Sequence, residues 1–513
     1  MLRTSRHLWR LVGIGRCLAR HNALFPLELL PVPEGVLRLA RRLSRQDAPG
    51  RPGQRLARAL QELGPSFIKL GQSLATRADL LGQELAADLS QLHDDLPPFE
   101  SALARRMIER ELGRPLGELF ASFEDRPVAA ASIAQVHFGT TPAGEEVAIK
   151  VLRPDIERQM ARDLDFFVWI ATWVERLQPA YRRLKPVKVV ETMAHWTRLE
   201  MDLRLEAAAA SELAENFGDD PGFRVPRVDW QRTARRVLTL ERVSGIASDE
   251  RDALIAAGFD PDRILARAAE SFFKQVFRDG FFHGDMHPGN IFIDQDGVLV
   301  PVDFGIMGRL DRPTRRYLAE MLLGFLSADY QRVADVHFTA GYVPANQDRA
   351  AFMQACRAIG EPIRGRAMAE ISVGRLLGQL FEVSETFAME TQPQLLLLQK
   401  TMVVAEGVGR ALNPDLNMWQ LAQPLIESWI ADNLGPQAQL RSAVEDGLEA
   451  ARRLPNLVER GERLLEAVAG DGIRLDSRSL EALAGRPDRT SGRLLPWALC
   501  LLLGGLALGL LLH

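Results

Sequence analysis

The apolar positions of this chain change period several times, and each change marks an element boundary. Leu56, Leu60, Leu63 and Ile68 fall on one stripe at helical spacing, and Ala and Leu dominate the turns that follow. Residues 59–125 therefore read as helical, with a break at Pro97 and Pro98. From 127 to 152 the period drops to two. Val128, Val136, Phe138, Val147, Ile149 and Val151 alternate as strands do, around a Pro142-Ala143-Gly144 turn. A long helical insert follows over roughly 155–217, and strand signals return at 225–228 and 236–243. Residues 259–280 are helical again, 281–306 form loop with short strands at 291–293 and 298–302, and 311 to about 470 reads almost entirely helical. A small β-containing region between helical regions predicts a two-lobed α+β enzyme, not a doubly wound sheet.

The two ends differ from the body. Leu494 to Leu512 is 19 residues without a charge, roughly 28 Å long as a helix, which matches a bilayer core. Arg486, Arg489 and Arg493 precede it, so the positive-inside rule places the body on the cytoplasmic side. A buried C-terminal core helix is the competing reading. Residues 471–493, rich in Arg, Asp, Gly and Ser, read as a linker. Residues 1–58 hold 12 Arg and three acids, with Arg3, Arg6 and Arg10 at helical spacing among apolar residues. That segment fits a basic amphipathic helix on anionic lipid, or equally a helix packed on its own protein.

Composition narrows the class. With 513 residues, 47% hydrophobic and 25% charged, the chain is neither disordered nor a small disulfide scaffold. A net charge of −4 speaks against a nucleic-acid partner. Cys17, Cys356 and Cys500 fit no disulfide framework or zinc spacing. Only six of the 63 basic residues are lysines: Lys69, Lys150, Lys185, Lys188, Lys274 and Lys400. In so Arg-dominated a chain each remaining lysine is worth asking about, since a site that needs a compact ammonium cannot accept a guanidinium.

The chemistry concentrates in two clusters. His283-Gly284-Asp285-Met286-His287-Pro288-Gly289-Asn290 is followed by Val302-Asp303-Phe304-Gly305. Asp285 and Asn290 lie five apart, and Asp303 follows 18 residues after Asp285 at the end of an apolar strand. Phosphoryl transfer needs this set: a carboxylate near the nucleophile, and an amide and a second carboxylate for magnesium. Upstream, Val147-Ala148-Ile149-Lys150 puts Lys150 on a strand, where it can reach nucleotide phosphates and pair with a helix glutamate. Where a kinase carries a glycine-rich loop, this chain has Ala129-Ala130-Ala131-Ser132-Ile133-Ala134-Gln135-Val136. Alanine limits how closely the backbone can approach a phosphate. The segment Val237 to Val243, including Glu241, reads as an edge strand leading to Ser244-Gly245. It resembles the hinge that holds adenine; a plain buried strand is the alternative. No APE motif or long activation segment follows Gly305, so protein kinase activity on a separate substrate is disfavoured.

In these motifs the sequence resembles the UbiB family of atypical, protein-kinase-like proteins. The resemblance covers about 60–430. The alanine-rich loop, Lys69-Leu70-Gly71-Gln72 as KxGQ, Glu200-Met201-Asp202 as ExD, and the His283–Asn290 loop carry it. The stretches 392–402 and 406–412 resemble the bacterial ubiquinone-biosynthesis members. Met286 stands where proline is more usual, and one apolar tail segment stands where two are usual.

The resemblance implies a two-lobed protein-kinase-like fold with a helical N-terminal extension and a C-terminal transmembrane helix. The expected divisions are 1–58, 59–125, 126–243 (N-lobe), 244–430 (C-lobe), 431–493 and 494–512. The extension bearing Lys69, Gly71 and Gln72 would fold over the site. Asp202 and Glu206 share a helix face and Glu200 does not. Glu206 is thus assigned to Lys150, and Glu200 with Asp202 to Lys69 and Gln72. The implied cofactors are ATP and Mg2+, with Asn290 and Asp303 on the metal and Asp285 as the catalytic carboxylate. The implied location is a bacterial inner membrane. The implied partners are membrane lipid and polyprenyl-phenol intermediates or other ubiquinone-biosynthesis proteins, with homodimerisation left open. A non-catalytic nucleotide-binding scaffold and a small-molecule phosphotransferase are the competing functions.

Overall fold

The computed structural model describes residues 2–25, 42, 48–75, 82–90, 92, 96–177, 186–218, 220–362 and 392–413, with scattered positions between 379 and 389 and between 424 and 429. Its N-terminal half centres on a five-stranded antiparallel sheet. β3 (Ala134–Thr140) pairs with β4 (Glu146–Leu152), and β4 pairs with β5 (Val237–Glu241) at the edge. The short strands β1 (Ser122–Phe123) and β2 (Ala129–Ala130) both pair with β3. The period of two sorts the faces of β4. Val147, Ile149 and Val151 enter a core with Met107, Ile108, Leu119 and Phe120, which leaves Lys150 on the opposite face. Those partners sit on or beside α5 (Ser101–Leu112) and α6 (Leu116–Leu119). The sheet and its cover therefore begin before residue 126, earlier than the sequence division places them, because β1 is too short to carry an alternating pattern.

The N-terminal helices pack on the insert. α1 (Leu2–Arg20), α2 (Pro52–Leu63), α3 (Pro65–Ala75) and α4 (Gln83–Ser90) share a core with α7 (Ile156–Leu177) and α8 (Pro186–Glu200), including Leu60, Phe67, Leu89, Phe166, Phe167 and Met193. The stripe from Leu56 to Ile68 spans two helices, not one. Gly64 at φ 100° closes α2 by donating to Leu60 and Gln61 carbonyls, and Pro65 opens α3. The 58/59 division falls inside α2. α1 is tied down by charge as well: Arg10 pairs with the buried Asp163, and Arg20 and His21 both meet Glu62.

The C-terminal half is mostly helical. α9 (Leu203–Phe217) crosses from the insert into the main core, which continues through α10 (Arg251–Ala256) and α11 (Pro261–Phe273). Lys274–Asp279 is a π-helical turn, and β6 (Ile246–Ala247), β7 (Phe281–His283), β8 (Ile291–Ile293), β9 (Leu299–Pro301) and β10 (Met307–Arg309) form two small sheets. α12 (Arg312–Leu326), α13 (Tyr330–Thr339), α14 (Arg349–Gly360) and α15 (Pro393–Leu412) follow. The strand expected at 225–228 is absent; Val228 makes only an isolated bridge to Leu240. Pro226 lacks the N–H that a ladder needs. Residues 432–513, with the span expected at 494–512, lie outside the described residues. Among the described residues no helix is long and apolar enough to cross a membrane.

Candidate functional site

Lys150 reaches out of the open face of β4 and meets two carboxylates, donating to Glu206 Oε1 at 2.6 Å and to Asp303 Oδ2 at 3.1 Å. Glu206 sits in the first turn of α9 and is buried, while the Asp303 side chain stays 43% exposed and faces solvent. Burial disfavours the lysine's charge, yet Asp303 and Glu206 outweigh it and push its pKa up. Partial burial likewise disfavours a charged Asp303, but Lys150 and the Gly305 N–H, donating at 2.9 Å, hold its pKa down to about 2. For Glu206 burial wins over Lys150, and its pKa is raised.

The residues of the His283–Asn290 loop are held by a mesh of backbone contacts. His283 is buried and its Nε2 meets the Asp303 carbonyl. Its Nδ1 accepts from Asp285 N at 3.1 Å, so the ring ties the loop to the Asp303 strand end. Burial pulls its pKa down, so the ring is neutral near pH 7. Asn290 donates from Nδ2 to the Asp285 carbonyl at 3.3 Å, which leaves its Oδ1 as an acceptor. Gln275, on the π-helical turn and fully buried, accepts from His283 N at 2.9 Å. Gln275→Leu would leave that buried N–H unpaired, at about 1–3 kcal/mol. The expected result is a lower melting temperature, read by calorimetry.

The alanine-rich segment is a tight hairpin. β2 and β3 close on a turn in which Ala131 donates to Ala134 O at 2.8 Å. Ser132 buries its hydroxyl there without a hydrogen-bond partner among the described residues. Gln135 points the other way: its buried amide donates to Phe99 O and accepts from Phe99 N. Arg153 donates to Ala131, Pro97 and Leu96 carbonyls and so fastens the chain after α4 onto the hairpin. Val243 lies two residues beyond β5. At the edge strand, the Glu241 carboxylate accepts from Arg224 at 2.7 Å and its N–H donates to Arg227 O. An adenine contact at that edge would fall to the Glu241 carbonyl and the Val243 backbone.

In the extension, Lys69 forms an ion pair with Glu200 at 3.0 Å, both half-buried. Gln72 shares α3 with Lys69. Gly71 is packed so closely that a Cβ there would lie 2.4 Å from Leu92 Cδ1. Asp202 does a different job from the one assigned to it. It caps α9 by accepting from Arg204 N and pairs with the Arg204 guanidinium at 2.6 Å. An Asp one residue before a helix is drawn to its free N–H groups.

The donors present suit a hard divalent cation. Asp303 and the Asn290 Oδ1 offer oxygen ligands of the kind magnesium takes together with phosphates. The Lys150 ammonium, its pKa pushed up by Asp303 and Glu206, suits an anionic ligand.

Sequence reasoning missed three residues here. Lys400 on α15 donates to Asp285 Oδ1 at 2.9 Å; its sequence signals were the rarity of lysine and its place in the 392–402 stretch. Gln275 and Arg153 carry no signal at all, because what they hold is main chain distant in sequence.

A model of the ABC1 atypical kinase-like domain matches residues 91–337, and a model of the UbiB helical domain matches 356–417. The chain is 41% identical over 486 residues to the Probable protein kinase UbiB of Marinobacter nauticus, across 93% of this chain and 88% of that one. It is 43% identical over 412 residues to the protein of the same name from Shewanella pealeana, across 79% and 75%. Among solved structures, the Rv3197–erythromycin complex from Mycobacterium tuberculosis matches 77% of this chain and 98% of its own, at 25% identity and a TM-score of 0.52.

Proposed function

Because the chain belongs to the UbiB family, with an ABC1 atypical kinase-like domain, we propose that it binds Mg-ATP between its lobes and hydrolyses it in the service of ubiquinone biosynthesis. The observation that carries this reading is the meeting of Lys150, Glu206 and Asp303 from three distant segments, 153 residues apart at the widest. A phosphate-binding ammonium held over a metal-binding carboxylate is the core of a phosphoryl-transfer site. Bound magnesium would neutralise charge on the phosphates. Asn290 and Asp303 would hold it, Lys150 would orient the phosphates, and Asp285 would orient the attacking water or hydroxyl.

A polypeptide acceptor fits poorly. α12 begins at Arg312, seven residues after Gly305, which leaves no length for a peptide-docking segment. Water or a small phenolic lipid fits better, and handling of polyprenyl-phenol intermediates at the inner membrane is the role we assign. α1 supports a lipid-facing position: Trp9 is 75% exposed, with Val12 and Arg16 on the same outer face.

Phosphate release from the full chain in detergent, with and without a phenolic quinone-precursor mimic, tests the reading. Magnesium-dependent release that rises with the mimic is expected. No turnover under any condition would favour a nucleotide-binding scaffold, and a phosphorylated phenol would identify a small-molecule kinase.

A further inference from the structure

Asp285 is anchored through its backbone by its own loop, but its carboxylate is not. The Asp285 N–H donates to His283, and its carbonyl accepts from His287 N at 2.7 Å and from Asn290. Among the described residues the carboxylate itself has one hydrogen-bond partner, Lys400 Nζ at 2.9 Å, 115 residues away. His287, two residues after Asp285, folds back to accept from Gly289 N. The loop therefore supplies no cation of its own to that carboxylate.

Lys400 comes from a rigid support. α15 lies directly on the loop: a Cβ at Gly284 would sit 2.9 Å from both Leu397 methyls. Its C-terminal end is tied down by Arg251, donating to Leu412 O at 2.9 Å, and by Asn413, donating to Asp262 at 2.6 Å. Both partners of the Lys400–Asp285 pair remain about one-third exposed, 39% and 34%. A pair that open to water adds little to stability, so its value lies in where it puts the carboxylate.

We propose that Lys400 is a positioning residue for Asp285. Its ammonium fixes the carboxylate rotamer and cancels a negative charge that would otherwise repel the terminal phosphate of ATP. The helical domain would in this way complete the active site of the kinase-like domain. The inference rests on the nucleotide reading above and adds a residue to it.

The test uses the full chain with Lys400→Met, Lys400→Arg, Asp285→Asn and the Asp285→Asn/Lys400→Met double variant. Turnover and the affinities for Mg-ATP and Mg-ADP are measured. For Lys400→Met, kcat should fall about 10- to 100-fold with ADP affinity unchanged, and the preference for ATP over ADP should fall about tenfold. Lys400→Arg should recover most of both, and the double variant should be no slower than Asp285→Asn alone. Wild-type kcat and ATP preference in Lys400→Met would overturn the proposal. So would losses that multiply in the double variant, or no recovery with arginine. If the wild-type chain releases no phosphate, the hydrolysis reading alone fails, and the ATP-to-ADP affinity ratio still decides the role of Lys400.

Discussion

Lys150→Met should unfold at a markedly lower temperature than wild type and lose Mg-ATP affinity on the order of 100-fold. Both effects come from one position. The ammonium is the partner of Glu206, which is only 7% exposed. Removing one member of a buried pair costs about 3–5 kcal/mol because the other is left charged and unpaired. The pH dependence gives the cause away. Burial already raises the Glu206 pKa even with Lys150 beside it, and losing Lys150 removes what opposes that rise. A carboxyl with a raised folded-state pKa holds its proton more tightly folded than unfolded. Stability therefore falls as pH climbs above the ordinary value of 4.5. The Lys150→Met variant should be most destabilised near pH 8 and partly recovered near pH 5. Thermal melts at the two pH values and equilibrium nucleotide binding check this. An equal loss at both would mean that packing, not the Glu206 charge, is responsible.

Asp303→Asn should abolish turnover, by about a thousandfold or more, while the chain stays folded at neutral pH. Asparagine keeps the oxygen that accepts from Gly305 N but loses the charge that would hold magnesium. Lys150 keeps Glu206 as a partner at 2.6 Å, so the lobes stay joined. The acid limb should change too. Asp303 is held down to about 2 from an ordinary 3.8. A depressed carboxylate adds stability above its unfolded value and loses it as pH falls toward the folded one. The wild-type chain should therefore lose part of its stability between about pH 4 and pH 2, and Asp303→Asn should lose less there. Single-turnover phosphate release and acid titrations followed by circular dichroism read the two effects. Near-wild-type turnover would remove Asp303 from the metal site.

Much of the site was legible in order along the chain. Lys150 stands on an alternating strand, and Asp285, Asn290 and Asp303 keep the spacing of a loop followed by a strand end. Those signals are local, so a linear reading finds them. The pairing of Lys150 with Glu206 followed from helix periodicity. Asp202 was misassigned because a face argument ignores capping: one residue before α9, its carboxylate satisfies Arg204 N instead of reaching across to Lys69. The join between α2 and α3 was missed because Leu56 to Ile68 keeps one apolar stripe while the backbone turns at Gly64.

Composition and period by themselves determined that this is an α+β chain and which residues face inward on β4. They did so because side-chain direction on a strand or helix is fixed by covalent geometry over a few residues. Only the tertiary structure decided that Lys400 closes on Asp285, that Gln275 holds His283, and that Arg153 fastens the segment after α4 to the hairpin. Each joins groups from 8 to 115 residues apart. Such contacts depend on how whole elements pack, and packing leaves no period in the sequence.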